Sequence, residues 1–422
     1  MTAPNTHRAL EAVWRIESAK IIAGLTRLVH DVGLAEDLAQ DAFVAALERW
    51  PQTGVPDNPA AWLTAAAKNR ALDHLRRDKV IERKHEMVGH ELESRQEAGV
   101  TDLDTALDDE VGDDLLRLVF IACHPVLATD ARVALTLRLL GGLTTTEIAR
   151  AFLVSEPTIA QRIVRAKRTL SDAHVPFEVP RGTELAARLS SVLGVIYLVF
   201  NEGYAATAGE DWMRPALCDE ALRLGRILAG LMPDESEVHG LLALMEIQAS
   251  RAAARVDANG APILLLEQDR ARWDHLLIRR GLTALARAEA LGGAGEPFAL
   301  QAAIAACHAR AAMAENTDWK RIAGLYDVLA QRTPSPVVEL NRAVAHGMAF
   351  GPEAGLAIAD PLASAAALKD YHLLPAVRGD LLSRLGRGEE ASAEFERAAS
   401  LTRNARERAL LLERASASRA TT

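Results

Sequence analysis

A chain of 422 residues is long enough for two or three domains, each with its own core, and a formal net charge of −9 means that any nucleic-acid contact must come from local basic patches, because the molecule as a whole is repelled. Aromatic residues are only 4% and no stretch alternates with period two for long, so the fold class is all-α. Cys123, Cys218 and Cys307 are too scattered for a disulfide framework or a metal site and read as buried small side chains in a reducing cytoplasm. With no signal-type N-terminal run and no stretch of about eighteen uncharged apolar residues, a soluble intracellular protein without membrane contact, metal or cofactor is expected.

In chain order, residues 8–78 read as a first helical unit. Val13, Ile16, Ile21, Leu25, Leu28 and Val29 recur at helical spacing, with Gly33 as the stop. A second helix, Leu34 to Trp50, buries Leu38, Ala42, Phe43 and Leu47 and turns Glu36, Asp37, Gln40 and Asp41 outward. Those carboxylates suit the positive end of the helix dipole or, equally, a docking surface. Pro51 to Pro59 reads as a loop. A third helix, Ala60 to Arg77, points Trp62, Leu63, Ala67 and Leu75 inward and carries Lys68, Asn69, Arg70, Asp73, Arg76 and Arg77 on its other side.

Residues 79–113 read as an acidic linker, because from Glu86 to Asp114 acidic side chains are opposed by Arg95 alone and apolar content is low. A second unit, 114–175, contains a helix with Leu115, Leu118, Val119, Ile121 and Leu127, another from Asp130 to Leu140 ended by Gly141 and Gly142, and then a helix-turn-helix from Thr144 to Leu170. Thr144 with Glu147 forms a capping box for its first helix. Leu153 and Val154 turn, Ser155 caps the second helix, and Pro157 sits in the first turn where a missing N–H costs little. Ile159, Ile163, Ala166 and Leu170 form its buried stripe. The opposite face carries Thr158, Gln161, Arg162, Arg165 and Arg168, donors suited to phosphates and base edges in a major groove.

Pro176 and Pro180 mark the next boundary, and residues 183–422 read as a long helical, tetratricopeptide-like regulatory domain. Val192, Val195, Ile196, Val199 and Phe200 make a strongly buried helix ending near Gly203. Further on, helices come in pairs: Phe298 to Met313 with Trp319 to Gln331, Val337 to Met348 with Glu353 to Ala366, and Tyr371 to Leu385 with Glu389 to Leu401. In the last pair Gly379, Leu382, Gly386, Ala391, Phe395 and Ala398 fall where that repeat places small and bulky residues. No Gly-rich phosphate loop, HExxH spacing or nucleophile elbow appears, so no enzyme is expected; His124 beside Cys123 is a poor metal pair because adjacent residues rarely converge on one ion.

In this order, the segments LAEDLAQDAFVAALERW, NPAAWLTAAAKNRALDHLRRD and Thr144 to Leu170 resemble the promoter-binding core of an RNA polymerase sigma factor of the sigma-70 family, extracytoplasmic-function group. The resemblance covers about Arg8 to His174, and NEGY at 201–204 with LLLEQDRARWD at 264–274 looks like the long carboxy-terminal extension of one subgroup. It implies that Asp37, Gln40 and Asp41 dock core RNA polymerase. It further implies that Lys68, Asn69, Asp73, Arg76 and Arg77 contact the melted −10 element of promoter DNA, and that Thr158, Gln161, Arg162, Arg165 and Arg168 meet the −35 element. A regulatory protein or ligand would act on the extension. Ala65 to Ala67 replace bulkier apolar residues of the family's melting helix, and Pro157 is unusual in its recognition helix. The alternative is a tetratricopeptide-like regulator or scaffold that carries a helix-turn-helix and acts without polymerase.

Overall fold

The computed structural model describes residues 3–86 and 111–420, with side chains placed for Leu10, 12–77 and 112–420. Among the described residues the regular structure is helical apart from one two-residue strand pair and an isolated bridge between Val256 and Pro262, so the fold is all-α. The chain divides into two compact units, Met1–Val195 and Ile196–Thr422.

The first unit contains α1 (Ala3–Val29), α2 (Val32–Thr53), α3 (Pro59–Glu86), α4 (Val111–Ala122), α5 (Thr129–Leu139), α6 (Thr145–Ala151), α7 (Glu156–Asp172) and the start of α8 (Gly182–Tyr204). Leu10, Ile22, Ala35, Ala39, Leu63 and Ala67 are fully enclosed, and Trp50 meets the half-buried Trp62 edge to face at 5.5 Å. Trp62 is therefore packed against the core, and of the alanines at 65–67 only Ala67 is enclosed, Ala65 being exposed.

Three local expectations change. The stop after α1 is His30, whose left-handed φ of 54° turns the chain, followed by Asp31, whose carboxylate accepts from Leu34 N at 2.8 Å to cap α2. Gly33 instead lies inside α2, where a Cβ would come within 3.5 Å of the Lys167 stem. Pro51 does not end α2, because in the last turn it forfeits one backbone bond only; Gly54, at φ 87°, closes the helix by donating to Trp50 O. The acidic linker is also shorter than 79–113: α3 continues through 79–86, a run rich in the good helix formers Lys, Arg and Glu, and α4 begins at Val111. Positions 87–110 lie outside the described residues.

The second unit continues with α9 (Pro215–Leu231), α10 (Ser236–Ala249), α11 (His275–Ala290), α12 (Pro297–Arg310), α13 (Trp319–Arg332), α14 (Pro336–Phe350), α15 (Pro352–Leu362), α16 (Leu373–Arg384), α17 (Gly388–Leu401) and α18 (Ala405–Ala420). Consecutive helices pack on one another, closely where glycine permits: a Cβ on Gly379 would lie 2.9 Å from the Phe395 ring, so α16 and α17 are in contact at that point. The strand pair joins Ala208–Gly209 to Arg403–Asn404. Buried Asn404 holds this junction, donating from Nδ2 to Ala206 O (3.1 Å) and Asp211 O (2.9 Å) while its Oδ1 caps α18. By length and composition α8 would pass as a membrane span, but Leu189, Val192, Val195, Ile196, Val199 and Phe200 are buried in the protein, while Leu198 is exposed.

Candidate nucleic-acid interface

The helix-turn-helix forms from local signals. Thr144 Oγ1 accepts from Glu147 N at 3.1 Å while Glu147 Oε2 accepts from Thr144 N at 2.8 Å, the reciprocal capping box that starts α6. Burial of the Glu147 carboxyl works to raise its pKa, yet the Thr144 hydrogen bonds and the nearby Arg15 charge hold it below its ordinary value. Leu153 makes the turn at φ 51°, Ser155 Oγ accepts from Thr158 N at 3.3 Å to start α7, and Pro157 occupies a first-turn position that needs no N–H. Ile159, Ile163, Ala166 and Leu170 are buried, which fixes the rotation of α7 about its axis.

That rotation leaves Gln161, Arg165 and Arg168 exposed and Thr158 and Arg162 half-buried. Arg162 is shared with Asp130 of α5 at 3.3 Å, and Arg168 reaches Asp172 at 3.4 Å on its own helix. Val164, 63% exposed, sits on the same face, at helical spacing between Gln161 and Arg168. It is an apolar position on a basic face, and its signal in the sequence is only that it falls off the buried stripe.

On α3, Asn69, Asp73, Arg76 and Arg77 are exposed and Lys68 is half-buried; Arg76 and Asp73 face each other at 3.4 Å across one turn. On α2, Asp37 and Asp41 are exposed, but Gln40 is half-buried and donates to Glu36 Oε1 at 2.6 Å. Glu36, expected to face outward, is 2% exposed. It is buried because α5 and α7 cover it: Arg138 Nε donates to its Oε1 at 2.6 Å, and Lys167 Nζ stands 2.6 Å from its Oε2. Lys167 also donates to Asp37 Oδ1 at 3.3 Å. Within the first unit, then, the acidic face of α2 is engaged by α7 itself. Buried Asp114 of α4 adds a second link by pairing with Arg27 of α1 at 3.1 Å, and Arg15 of α1 pairs with Glu147 of α6.

Comparison with known proteins bears on what these surfaces are for. Residues 17–80 match the family described as Sigma-70 region 2, residues 117–170 match Sigma-70, region 4, and residues 188–289 match a family of unknown function (DUF6596). The chain is 44% identical over 391 residues to an uncharacterized protein of Rhizobium meliloti, covering 92% of this chain and 91% of that one. It is 30% identical to the ECF RNA polymerase sigma factor SigK of Mycobacterium ulcerans, over 35% of this chain and 75% of that protein. To the probable ECF RNA polymerase sigma factor SigI of Mycobacterium tuberculosis it is 28% identical over 41% of this chain and 58% of that one. No solved structure matches. With a region 2 domain followed by a region 4 helix-turn-helix, the chain belongs to the ECF RNA polymerase sigma factor family.

Proposed function

We propose that this protein docks core RNA polymerase through Asp37, Gln40 and Asp41 of α2 and brings it to promoter DNA, with the second unit acting as a regulatory domain. The observation that carries the reading is the exposed face of α7, whose Gln161, Arg165 and Arg168 oppose a fully buried apolar stripe. Thr158, Gln161, Arg162 and Arg165 enter the major groove of the −35 element, Arg168 takes phosphate, and Val164 offers apolar contact to a thymine methyl. Lys68, Asn69, Asp73, Arg76 and Arg77 meet the −10 element after its bases unstack. The polymerase makes the bonds, and this chain supplies no catalytic group.

The Lys167 contact adds a step. Because Asp37 shares Lys167 with Glu36 in the free chain, polymerase docking on Asp37 competes for that lysine, while buried Glu36 keeps it against α2.

The test reconstitutes the full chain with core polymerase on genomic fragments and maps the transcript starts. Asp37→Arg combined with Asp41→Arg should abolish co-purification with the core enzyme while helicity is retained. Duplex binding at a defined sequence with no requirement for polymerase would instead favour the stand-alone regulator.

A further inference from the structure

The second unit holds a charge imbalance that helix packing does not require. Arg214, Arg223 and Arg226 are each matched by a carboxylate, Glu202, Glu220 and Glu246. Arg251, Arg255 and Arg270 are not; among the described residues they bond only to uncharged oxygens. Arg251 Nη2 donates to Tyr204 Oη and Gln248 Oε1, Arg255 Nη1 to Tyr204 O, and Arg270 to His308 O, Ala311 O (2.7 Å) and Thr317 Oγ1 (3.2 Å). Arg255 is 7% exposed, with its guanidinium 3.4 Å from the centre of the Tyr204 ring. Arg251 and Arg270 lie over Trp273 at 5.8 and 4.8 Å. Exposed Glu315 acts on Arg270 through its charge alone. A guanidinium offers more N–H groups than these bonds use, and cation–π contact offsets only part of the cost of removing like charges from water.

A second, independent observation falls at the same place. Trp273 Nε1 and His308 Nδ1, on side chains 4% and 9% exposed, are buried without a partner, and so is Arg270 Nε. A buried N–H left unmade is costly; Trp273 Nε1 and Arg270 Nε are such donors, His308 Nδ1 is one in the tautomer that places the proton there, and beside uncompensated arginines the acceptor that serves them best carries negative charge. The same segment buries Gln268 Oε1, an acceptor that an anion does not satisfy and that is not counted toward the site. His308 feels the surrounding charge: burial first, then Arg251 and Arg270, push its pKa down to about 4.

We propose that Arg251, Arg255, Arg270, Trp273 and His308 form a binding site for an anionic small molecule bearing a phosphate or carboxylate group. The planar guanidinium forks suit either oxyanion, and the aromatic rings supply apolar walls. Tyr204 and the segment 264–274 thereby acquire a common role, the first buttressing Arg251 and Arg255 and the second supplying Arg270 and Trp273. The site stands whether or not the second unit regulates transcription, since binding is read without polymerase.

The experiment titrates inorganic phosphate and, separately, succinate into the full chain at constant ionic strength. Calorimetry should give saturable binding of at least one probe, and the probe that binds distinguishes a phosphate ligand from a carboxylate one. Arg251→Gln and Arg270→Gln should each weaken it about tenfold or more, with Arg397→Gln as an unaffected control. In the wild type the side-chain resonance of His308 should move with the same saturation curve. Absence of saturable binding by both probes overturns the proposal, as does undiminished affinity in folded Arg251→Gln and Arg270→Gln. Should those variants lose helicity, the wild-type His308 resonance decides alone, and one that stays still while heat is evolved overturns it.

Discussion

Glu36→Gln removes one charge and almost no volume from the contact between α2 and the helix-turn-helix, and its cost follows from the geometry. Glu36 keeps 3% of its side-chain surface in water and faces two cations, Arg138 and Lys167, each at 2.6 Å. Taking one partner from a fully buried ion pair costs about 3–5 kcal/mol, because the charge left behind is neither solvated nor paired. Here the cations retain 20% and 18% of their side-chain surface, and Lys167 keeps Asp37, so the expected loss is about 2 kcal/mol. In a unit of this size that lowers the midpoint of thermal unfolding by about 4–8 °C. Calorimetry of the full chain measures the midpoint, and amide exchange localises the effect, with faster exchange expected in both 32–53 and 156–172. An unchanged midpoint with unchanged exchange in both segments would falsify the view that Glu36 holds α2 to the recognition helix.

Arg165→Ala should weaken binding of cognate promoter by holoenzyme while leaving polymerase binding intact; a loss of about 1–3 kcal/mol confined to one base position marks a base reader, and a uniform loss with the salt slope lowered by about one marks a phosphate contact. Equal loss of polymerase binding would make Arg165 structural. The Glu147 carboxyl titrates below 4.5 in the folded chain, so its stabilisation is complete above that pH and disappears as the pH falls through the folded value; Glu147→Gln should flatten this acid limb in unfolding measured against pH. His308, lowered from 6.5 to about 4, likewise contributes no penalty above pH 6.5 and an increasing one below it, so the second unit should weaken between those values, and His308→Gln should remove that slope.

The elements that read correctly from the sequence are those whose signals are local. Thr144 with Glu147, and Ser155 with Thr158, make their bonds across three residues, and the stripe Ile159, Ile163, Ala166 and Leu170 recurs on one face, so both the helix-turn-helix and its outward side are visible in the order of residues. Glu36 fails for the opposite reason. Its position in the helical period is on the outer face, and what buries it is Arg138, 102 residues away, together with Lys167. Lys167 has no such local signal, because it lies between the buried stripe and the exposed basic row, a position whose meaning depends on what packs there. The turn at His30 is hidden because positive φ is uncommon for any residue but glycine, and Gly33 nearby offers the more usual stop. NEGY and the segment 264–274 stood out as motifs, but nothing in their spacing indicates that Tyr204, Arg251, Arg270 and Trp273 meet.

Where the sigma-like portion can be cut follows from α8. The prolines at 176 and 180 suggest a junction, yet the first unit extends to Val195, fifteen residues beyond Pro180 by subtraction. Arg188, buried and paired with Glu184 at 3.0 Å, donates to Phe120 O at 3.2 Å, where α4 approaches its end. Ser191 Oγ donates to Cys123 O at 2.7 Å, and Arg132 of α5 donates to Ser191 Oγ. A fragment ending at Pro180 leaves those carbonyls without their partners and also lacks Leu189 and Val192, both buried in the intact chain. At about 1 kcal/mol for a neutral hydrogen bond and about 1.5–3 kcal/mol for a charged one, the two carbonyl bonds alone amount to about 3 kcal/mol before any apolar exposure is added. A fragment ending at Tyr204 keeps all of them. The expected result is that the fragment ending at Tyr204 unfolds at a higher temperature than the one ending at Pro180, and that Arg188→Ala in the longer fragment recovers part of the difference. Identical midpoints for the two fragments would mean that α8 contributes nothing to the helix-turn-helix domain, and that Pro180 is its physical end.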